Sequence, residues 1–293
     1  MKTVFAALFA AALAASASAD PLTAPIECAD CGLWNQAEPP VPLSGNSWYV
    51  GVAGLSSVLI ATRDGLILLD GDLPQSVAPI EANIAALGHD MREVKLILVS
   101  HEHFDHVGGV AALQRDSGAR VLAGPAAAKA LGQGHPTEAD PQYQVRDKYP
   151  FPKLAGVESV EDGQRISLGE VTVTAHRTPG HTPGGTSWSW RSCDDGKCLD
   201  LVYADSLTAF STAKAYRFAP IADSFRASIA KVRGLPCDIL VTTHPTASGF
   251  WKKVEKGDLV DPNGCRALAD GAEAALDRRL GEEFPPASAK QSR

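Results

Sequence analysis

Apolar and polar residues alternate over short stretches in the first half of the chain, with the two-residue period of half-buried β-strands. Strands are predicted over residues 47–52, 57–62, 66–70 and 94–99. Arg63-Asp64-Gly65 is predicted to be the turn between the second and third of them. Apart from Lys95, the stretch 94–99 is apolar, which is typical of a buried strand. Residues 79–87 have the spacing of a helix.

The second half of the chain shows the same mixture of short strands and helices. Further strands are predicted over residues 171–175, 187–190, 201–203 and 239–242, and helices over 222–232 and 265–280. Because strands and helices are interleaved and no strong linker divides them, we expect one α/β domain with two packed mixed sheets flanked by helices. The Pro-rich residues 20–45 are expected to form an extended N-terminal arm, and the polar tail from Pro285 to be loose.

The first residues have the pattern of an export signal. Lys2 precedes an apolar stretch at 4–15, and Ala17-Ser18-Ala19 fits the A-x-A cleavage rule. The alternative is a transmembrane anchor, but about a dozen apolar residues cannot cross ~30 Å of hydrocarbon. We therefore expect a cleaved signal peptide over 1–19, a single exported domain over 20–293 and no membrane anchor.

The net charge of the chain indicates which kinds of partner it can bind. The chain carries a formal charge of −7, and it has no run rich in Lys and Arg. Such a protein is a poor candidate for binding nucleic acid or anionic membrane surfaces. A small molecule is the expected partner, and a monomer the expected state.

All six cysteines follow the predicted signal. They are Cys28, Cys31, Cys193, Cys198, Cys237 and Cys265. An even number of cysteines in an oxidising compartment favours disulfides. The alternative is a zinc knuckle built from the two closely spaced pairs, a use that export disfavours.

The candidate chemistry is concentrated directly after the buried strand at 94–99. His101, His103, Asp105 and His106 lie within six residues, and Gly108-Gly109 follow them. Imidazole nitrogens and carboxylate oxygens are the ligands that Zn²⁺ accepts outside thiolate sites. The end of a strand is also where α/β proteins place ligands. A metal site is therefore predicted here, the alternative being a surface cluster without ligands.

Two later histidines are candidates for completing this site. His181 lies in a Pro/Gly-rich loop after one predicted strand, and His244 follows another strand and precedes Pro245. Each alone would be taken as a structural histidine, but beside the cluster both are predicted ligands. His89, His135 and His176 lack such a setting and are expected to be structural or to face solvent.

The sequence Ser100 to Gly109, followed by Gly180-His181-Thr182 and Thr243-His244-Pro245, resembles the metallo-β-lactamase superfamily. Together with Trp48-Tyr49-Val50-Gly51 and Tyr203-Ala204-Asp205-Ser206-Leu207-Thr208, it is most similar to the third subclass of class B β-lactamases. The resemblance implies an αββα sandwich, two zinc ions per chain and location in the bacterial periplasm.

The resemblance also implies how the ligands divide. It assigns His101, His103 and His181 to the first zinc, and Asp105, His106 and His244 to the second. Ser206 occupies the position at which another subclass has a zinc-binding cysteine. A ligand set of histidine and aspartate alone is therefore expected.

The implied activity is opening of the β-lactam ring of penicillins, cephalosporins and carbapenems by a hydroxide that the two zinc ions activate. Asp105 is expected to orient the water as well as to bind metal. Ser206 and Thr208 are predicted to bind the substrate carboxylate, or alternatively to make only structural hydrogen bonds. Gln142 is a further predicted substrate contact, and Asp70 is expected to brace the metal loop.

Two rival functions stay open at this point. Another hydrolase of the same fold, such as a thioesterase, lactonase or phosphodiesterase, is the first, because Asp205 would bridge the two metals in several such families. A non-catalytic zinc-binding protein is the second.

The resemblance also bears on the cysteines. It implies the disulfides Cys193–Cys198 and Cys237–Cys265. Cys28 then has only Cys31 as a partner, so this third pair is expected as well.

Overall fold

The structure is a computed structural model that describes residues 20–213 and 215–283. The predicted signal peptide and the predicted tail from Pro285 lie outside these residues. The strands are β1 Val41–Ser44, β2 Ser47–Tyr49, β3 Val58–Thr62, β4 Gly65–Leu69, β5 Val94–Leu98, β6 Arg120–Ala123, β7 Glu158–Ser159, β8 Arg165–Leu168, β9 Val171–Arg177, β10 Thr186–Asp194, β11 Lys197–Ala204 and β12 Ile239–Thr242. The α-helices are α1 Cys31–Trp34, α2 Val77–Ala86, α3 Phe104–Val107, α4 Val110–Ser117, α5 Pro125–Gln133, α6 Ala222–Arg233, α7 Phe250–Lys256 and α8 Gly264–Glu283.

The strands form two mixed sheets. One is seven-stranded, and its strands lie in the order β1-β2-β3-β4-β5-β6-β7. Its first four strands pair antiparallel and the remainder parallel. The other sheet has the order β12-β11-β10-β9-β8 and is antiparallel except between β11 and β12. The prediction of two packed mixed sheets is confirmed.

The sequence of strand β4 is apolar at consecutive positions because both of its faces are covered. Leu66 and Leu68 face a core shared with α2, α4 and α5. Ile67 and Leu69 alternate with them and face the second sheet. Because successive side chains point to opposite faces, a strand covered on both sides must be apolar at every position.

The second sheet is covered in the same way. Its outer face packs on α6 and α8 through Phe225, Ile229 and Leu276. Its inner face contributes Trp188 and Trp190 to the core between the sheets, where both indoles are buried. The layers therefore run helix, sheet, sheet, helix, which is the predicted αββα sandwich.

Some elements differ from the sequence prediction. The residues expected to form an extended arm contain the short helix α1 and strand β1. Strands β10 and β11 continue beyond the predicted ends as a hairpin closed near the Cys193–Cys198 pair. Most of the added residues are exposed or half-buried, so they lack the apolar alternation on which the prediction depended.

All six cysteines are paired. The disulfides are Cys28–Cys31, Cys193–Cys198 and Cys237–Cys265, the pairing that was expected. The third one joins the segment before β12 to the first turn of α8, so it fixes the covering helix to the sheet that it covers.

The length of chain between the cysteines predicts how much each disulfide stabilises the fold. Cys237 and Cys265 are 28 residues apart, so closing this loop is expected to raise the free energy of unfolding by about 3–4 kcal/mol. Cys193 and Cys198 are 5 apart, for which the same relation gives about 2 kcal/mol. Urea denaturation of Cys237→Ala/Cys265→Ala should show the larger loss, with Cys193→Ala/Cys198→Ala as the matched control. Equal losses would contradict this account.

Candidate metal centre

The predicted site residues come together at one edge of the two-sheet sandwich. His101 to His106 follow β5, and His181 lies in the loop between β9 and β10. Asp205 follows β11, and His244 follows β12. Because β4, β5 and β6 run parallel in one sheet and β11 and β12 in the other, their carboxyl ends lie at a common edge.

A buried carboxylate holds the metal-binding loop in place. Asp70 accepts hydrogen bonds from the Ser100 amide at 2.7 Å and the Ser100 hydroxyl at 2.6 Å. It also accepts one at 2.7 Å from the Tyr203 hydroxyl, which belongs to the other sheet. Burial raises the pKa of Asp70, and the nearby His106 and these donors oppose that shift. Asp70 therefore has the loop-bracing contacts expected of it.

His101, His103 and His181 form the first group of candidate ligands. One ring nitrogen of each lies within 4.8 Å of the others, and all three residues are buried. Two edge-to-face contacts, with ring centroids 4.9 Å and 4.8 Å apart, join His103 to His101 and to His181. Three imidazoles are brought together from two loops that belong to different sheets.

The outer nitrogen of each ring has an acceptor beside it. His101 Nδ1 is hydrogen-bonded to the Ser100 hydroxyl at 3.2 Å and lies 2.9 Å from Asp205 Oδ1, and His103 Nε2 lies 3.1 Å from Asp140 Oδ1. His181 Nδ1 lies 2.9 Å from the backbone oxygen of Thr208. An acceptor at one nitrogen places the ring proton there and leaves a lone pair on the other nitrogen. The unprotonated nitrogens are then His101 Nε2, His103 Nδ1 and His181 Nε2, of which His103 Nδ1 lies 3.2 Å from the Gln142 side-chain amide.

Asp105, His106 and His244 form the second group, again with ligand atoms within 4.8 Å of one another. Asp105 Oδ2 lies 3.4 Å from His106 Nε2 and 3.3 Å from His244 Nε2. His244 Nδ1 is 3.2 Å from the backbone oxygen of Gly54, so its Nε2 is the free nitrogen. The ring centroids of His101 and His106 are 4.2 Å apart, so the two groups adjoin.

These residues fit two metal ions. His101 Nε2 and both ring nitrogens of His106 are buried without a hydrogen-bond partner. A buried polar atom without a partner is costly unless a group such as a metal ion satisfies it. Histidine and aspartate are also a donor set that divalent transition metals accept. The two groups are therefore metal-binding sites.

The pKa directions of His101, His181 and Asp105 agree with this role, whereas at His103 the Asp140 carboxylate outweighs burial and raises the pKa. Burial, together with the neighbouring imidazoles, lowers the pKa of His101 well below its usual value, and burial lowers the pKa of His181 to about 3. Burial raises the pKa of Asp105, but His106 and His244 lower it by more, so the carboxyl stays ionised. Neutral imidazoles and an ionised carboxylate are the forms that bind metal.

The predicted substrate-binding residues line a pocket of about 590 Å³ over the metal groups. Ser206 Oγ is hydrogen-bonded to Thr243 Oγ1 at 2.8 Å. Thr208 Oγ1 lies 2.9 Å from His181 Nδ1. Gln142 Nε2 lies 3.2 Å from His103 Nδ1. All three residues border the pocket, and each also contacts another residue of the protein.

Three buried carboxylates around the metal groups have contacts that sequence reasoning missed. Asp205 belongs to neither ligand group among the described residues, and its contact is with the outer nitrogen of His101. Asp140 is 2% exposed and faces His103. Glu102 is fully buried and accepts hydrogen bonds from the loop that carries His181. The only sequence signal for Glu102 and Asp140 was their closeness along the chain to predicted site residues. Glu102 lies between two predicted ligands, and Asp140 lies two residues before Gln142.

The other histidines lie outside both groups. His89 contacts Glu93 at 3.2 Å, His135 the backbone oxygen of Pro136 at 2.8 Å, and His176 the Ser189 hydroxyl at 2.7 Å. These contacts agree with the structural or solvent-facing roles expected for them.

Solved structures similar to this chain include several metallo-β-lactamases. A subclass B3 metallo-β-lactamase isolated from a soil metagenome library is 44% identical, with a TM-score of 0.82, covering 85% of this chain and 98% of that one. The metallo-β-lactamase named Rm3 is 45% identical, with a TM-score of 0.84, covering 88% and 99%. A metallo-β-lactamase from Novosphingobium pentaromativorans is 36% identical, with a TM-score of 0.82, covering 88% and 94%.

Among curated proteins, the chain is similar to hydroxyacylglutathione hydrolases. That of Pseudomonas paraeruginosa is 32% identical over 168 residues, which are 57% of this chain and 53% of the relative. The match thus spans about half the length of that relative. The sequence model of the metallo-β-lactamase superfamily matches residues 50–244, from the Trp48-Tyr49-Val50-Gly51 segment to the last candidate ligand. With the sandwich fold and both ligand groups present, the chain belongs to the metallo-β-lactamase superfamily.

Proposed function

We propose that this protein is a di-zinc β-lactamase that hydrolyses the ring amide of penicillins, cephalosporins and carbapenems. The observation that carries the proposal is the pair of adjoining ligand groups, in which outer contacts leave an unprotonated nitrogen on His101, His103, His181 and His244. Zinc bound in these groups supplies an acidified water and polarises the amide carbonyl. Zinc is proposed because it accepts both nitrogen and carboxylate ligands without redox chemistry.

Asp105 is the residue that we assign to the reaction itself. It is 7% exposed and borders the pocket. Its Oδ2 atom is directed to His106 and His244, and neither contact uses Oδ1. The second oxygen can therefore accept a hydrogen bond from the attacking water and orient it.

The substrate is held by residues at the pocket wall. Ser206 and Thr208 offer hydroxyl groups to the carboxylate that β-lactams carry. The Gln142 side-chain amide lies beside Nδ1 of the His103 ring, whereas Asp140 lies beside Nε2 of the same ring. A hydroxyl already bonded within the protein can still serve, because it has one donor and two acceptor positions. These hydrogen bonds to substrate are proposals.

β-Lactams are favoured over other substrates by the relatives. The two metallo-β-lactamases of 44% and 45% identity match over 98% and 99% of their chains, whereas the hydroxyacylglutathione hydrolase of Pseudomonas paraeruginosa, 32% identical, matches over 53% of its length. The contact of Asp205 with the outer nitrogen of His101 also disfavours the metal-bridging role on which the rival depended. The thioesterase similarity is nevertheless specific enough to place a thioester in any substrate panel.

We also propose that the protein is exported to the periplasm. The A-x-A site at Ala17-Ser18-Ala19 and the pairing of all six cysteines support this, because disulfides persist in oxidising compartments. No helix within residues 20–213 and 215–283 has the length and apolarity to span a membrane. Mass spectrometry of the protein recovered from a periplasmic fraction should give a mature chain that begins at Asp20. An intact Met1 in that fraction would contradict cleavage.

Turnover by the purified protein tests the activity and the metal together. Nitrocefin, a penicillin and a carbapenem should be hydrolysed, and a thioester and a lactone should not. Removing the metal with a chelator should abolish turnover, and added zinc should restore it. Clavulanate-type inhibitors, which require a serine nucleophile, should have no effect. Full activity in a demetallated sample would refute the proposal, and preference for the thioester would favour the rival.

Substitution of the two hydroxyls tests the substrate contacts. A carboxylate remote from the reacting bond is bound equally in the ground and transition states, so Ser206→Ala/Thr208→Val should raise KM and leave kcat nearly unchanged. One hydrogen bond to a charged group contributes roughly 1.5–3 kcal/mol, so each bond lost should raise KM about 10- to 150-fold, and KM of the double variant should rise at least that much. The His181 ring keeps its contact with the backbone oxygen of Thr208 in this variant. Thr246→Val, also at the pocket wall, is the control.

Steady-state kinetics and zinc content decide between the two roles of these hydroxyls. An unchanged KM would mean that the Ser206 and Thr208 hydroxyls make only structural hydrogen bonds. Loss of kcat together with zinc would mean that they support the metal groups instead.

A further inference from the structure

Glu102 lies between the candidate ligands His101 and His103 but belongs to neither ligand group. Its side chain is nevertheless fully buried. Its two carboxylate oxygens are both used. Oε2 accepts a hydrogen bond from Thr182 Oγ1 at 2.8 Å, and Oε1 accepts one from the Gly184 amide at 3.0 Å. Both donors belong to the loop between β9 and β10, more than 75 residues away along the chain.

This loop carries His181 and is closed by its own backbone. The Thr178 amide donates to the Gly185 oxygen at 2.8 Å, and the Gly180 amide donates to the Thr182 oxygen at 3.0 Å. A displacement of Thr182 and Gly184 must therefore displace His181 as well. Fixing these two donors fixes the third histidine of the first group.

The space around the carboxylate is closely fitted. A Cβ atom on Gly184 would lie 2.2 Å from Glu102 Oε2 and 2.6 Å from the Ala127 amide nitrogen. Only glycine can therefore stand at position 184 while Glu102 keeps this position. The loop backbone and the carboxylate fit each other at van der Waals contact.

We propose that Glu102 is a positioning residue that fixes the first metal group. Its backbone joins His101 to His103, and its side chain is bonded to the loop of His181, so one residue sets the mutual distances of all three imidazoles. The inference rests on the proposed zinc assignment. It makes the dissociation constant of the first zinc depend on a residue that touches no metal.

The inference is tested by zinc binding rather than by turnover, in a His244→Ala background that leaves only the first group complete. Competition with a chromophoric chelator gives the dissociation constant. Glu102→Ala should raise it about 10- to 100-fold, the usual effect of losing a partner behind the metal ligands. Glu102→Gln should raise it less than about tenfold, because its oxygen can accept from Gly184 while its amide donates to the Thr182 hydroxyl.

Two controls and a second test variant make the result specific. Exposed Glu138→Ala should bind zinc as the background protein does. In a His181→Ala background, where the second group is the complete one, Glu102→Ala should leave the zinc affinity unchanged. Thr182→Val removes one of the two hydrogen bonds, should give an intermediate loss, and carries the test if Glu102→Ala does not fold.

Two outcomes would overturn the inference. The first is an unchanged zinc affinity of the first group in Glu102→Ala, or in Thr182→Val if Glu102→Ala does not fold. The second is an equal loss of zinc affinity at both groups. If Glu102→Gln behaved as Glu102→Ala does, charge rather than hydrogen bonding would be the cause, which also contradicts positioning. Failure of the His244→Ala background itself to bind one zinc would instead contradict the proposed metal assignment. The two hypotheses can therefore fail separately.

Discussion

The contact of the Asp70 carboxylate with both sheets is the interaction on which the site depends. Asp70 follows β4, accepts two hydrogen bonds from Ser100 at the end of β5, and accepts a third from Tyr203 in the opposite sheet. Its backbone adopts a left-handed conformation with φ of 57°, which an aspartate tolerates at limited cost. Ser100 precedes His101, and Tyr203 lies two residues before Asp205. A single buried carboxylate therefore sets the start of the metal loop and the strand behind it.

The charge around this point also explains why cations belong there. Asp70, Glu102, Asp140 and Asp205 are all buried within the same region, and the half-buried Arg177 is a cation that interacts with Glu102 and Asp205. Buried anions are unfavourable unless they are protonated, hydrogen-bonded or neutralised. Burial raises the pKa of Asp205 well above its usual value and that of Glu102 to about 7. Divalent cations in the two ligand groups would compensate this negative charge, so binding and folding are coupled.

The sequence predicted which residues form the two candidate ligand groups because their signal is local. His101, His103, Asp105 and His106 share six residues, and His181 and His244 each follow a recognisable strand. The buried strand at 94–99 was equally clear, since every residue in it except the exposed Lys95 is apolar. The partners of the ligands were not predictable, because the His103–Asp140 and Glu102–Thr182 contacts join residues 37 and 80 positions apart. Helix α1 in the arm was missed because its formation depends on packing, Trp34 against His244, rather than on helical periodicity.

Each metal group takes ligands from both sheets. His101 and His103 follow β5 in one sheet, whereas His181 and His244 follow strands of the other. The sheets already touch at this edge, where the Thr186 amide donates to the Ser100 oxygen at 2.8 Å and Trp188 Nε1 to the Val99 oxygen at 3.2 Å. A bound ion therefore cross-links the sandwich where its parallel strands end. Because a ligand that binds only the folded state stabilises it by RT ln(1 + [L]/Kd), about 4 kcal/mol at a thousandfold excess over Kd, metal binding in such a protein stabilises the fold as well as enabling chemistry.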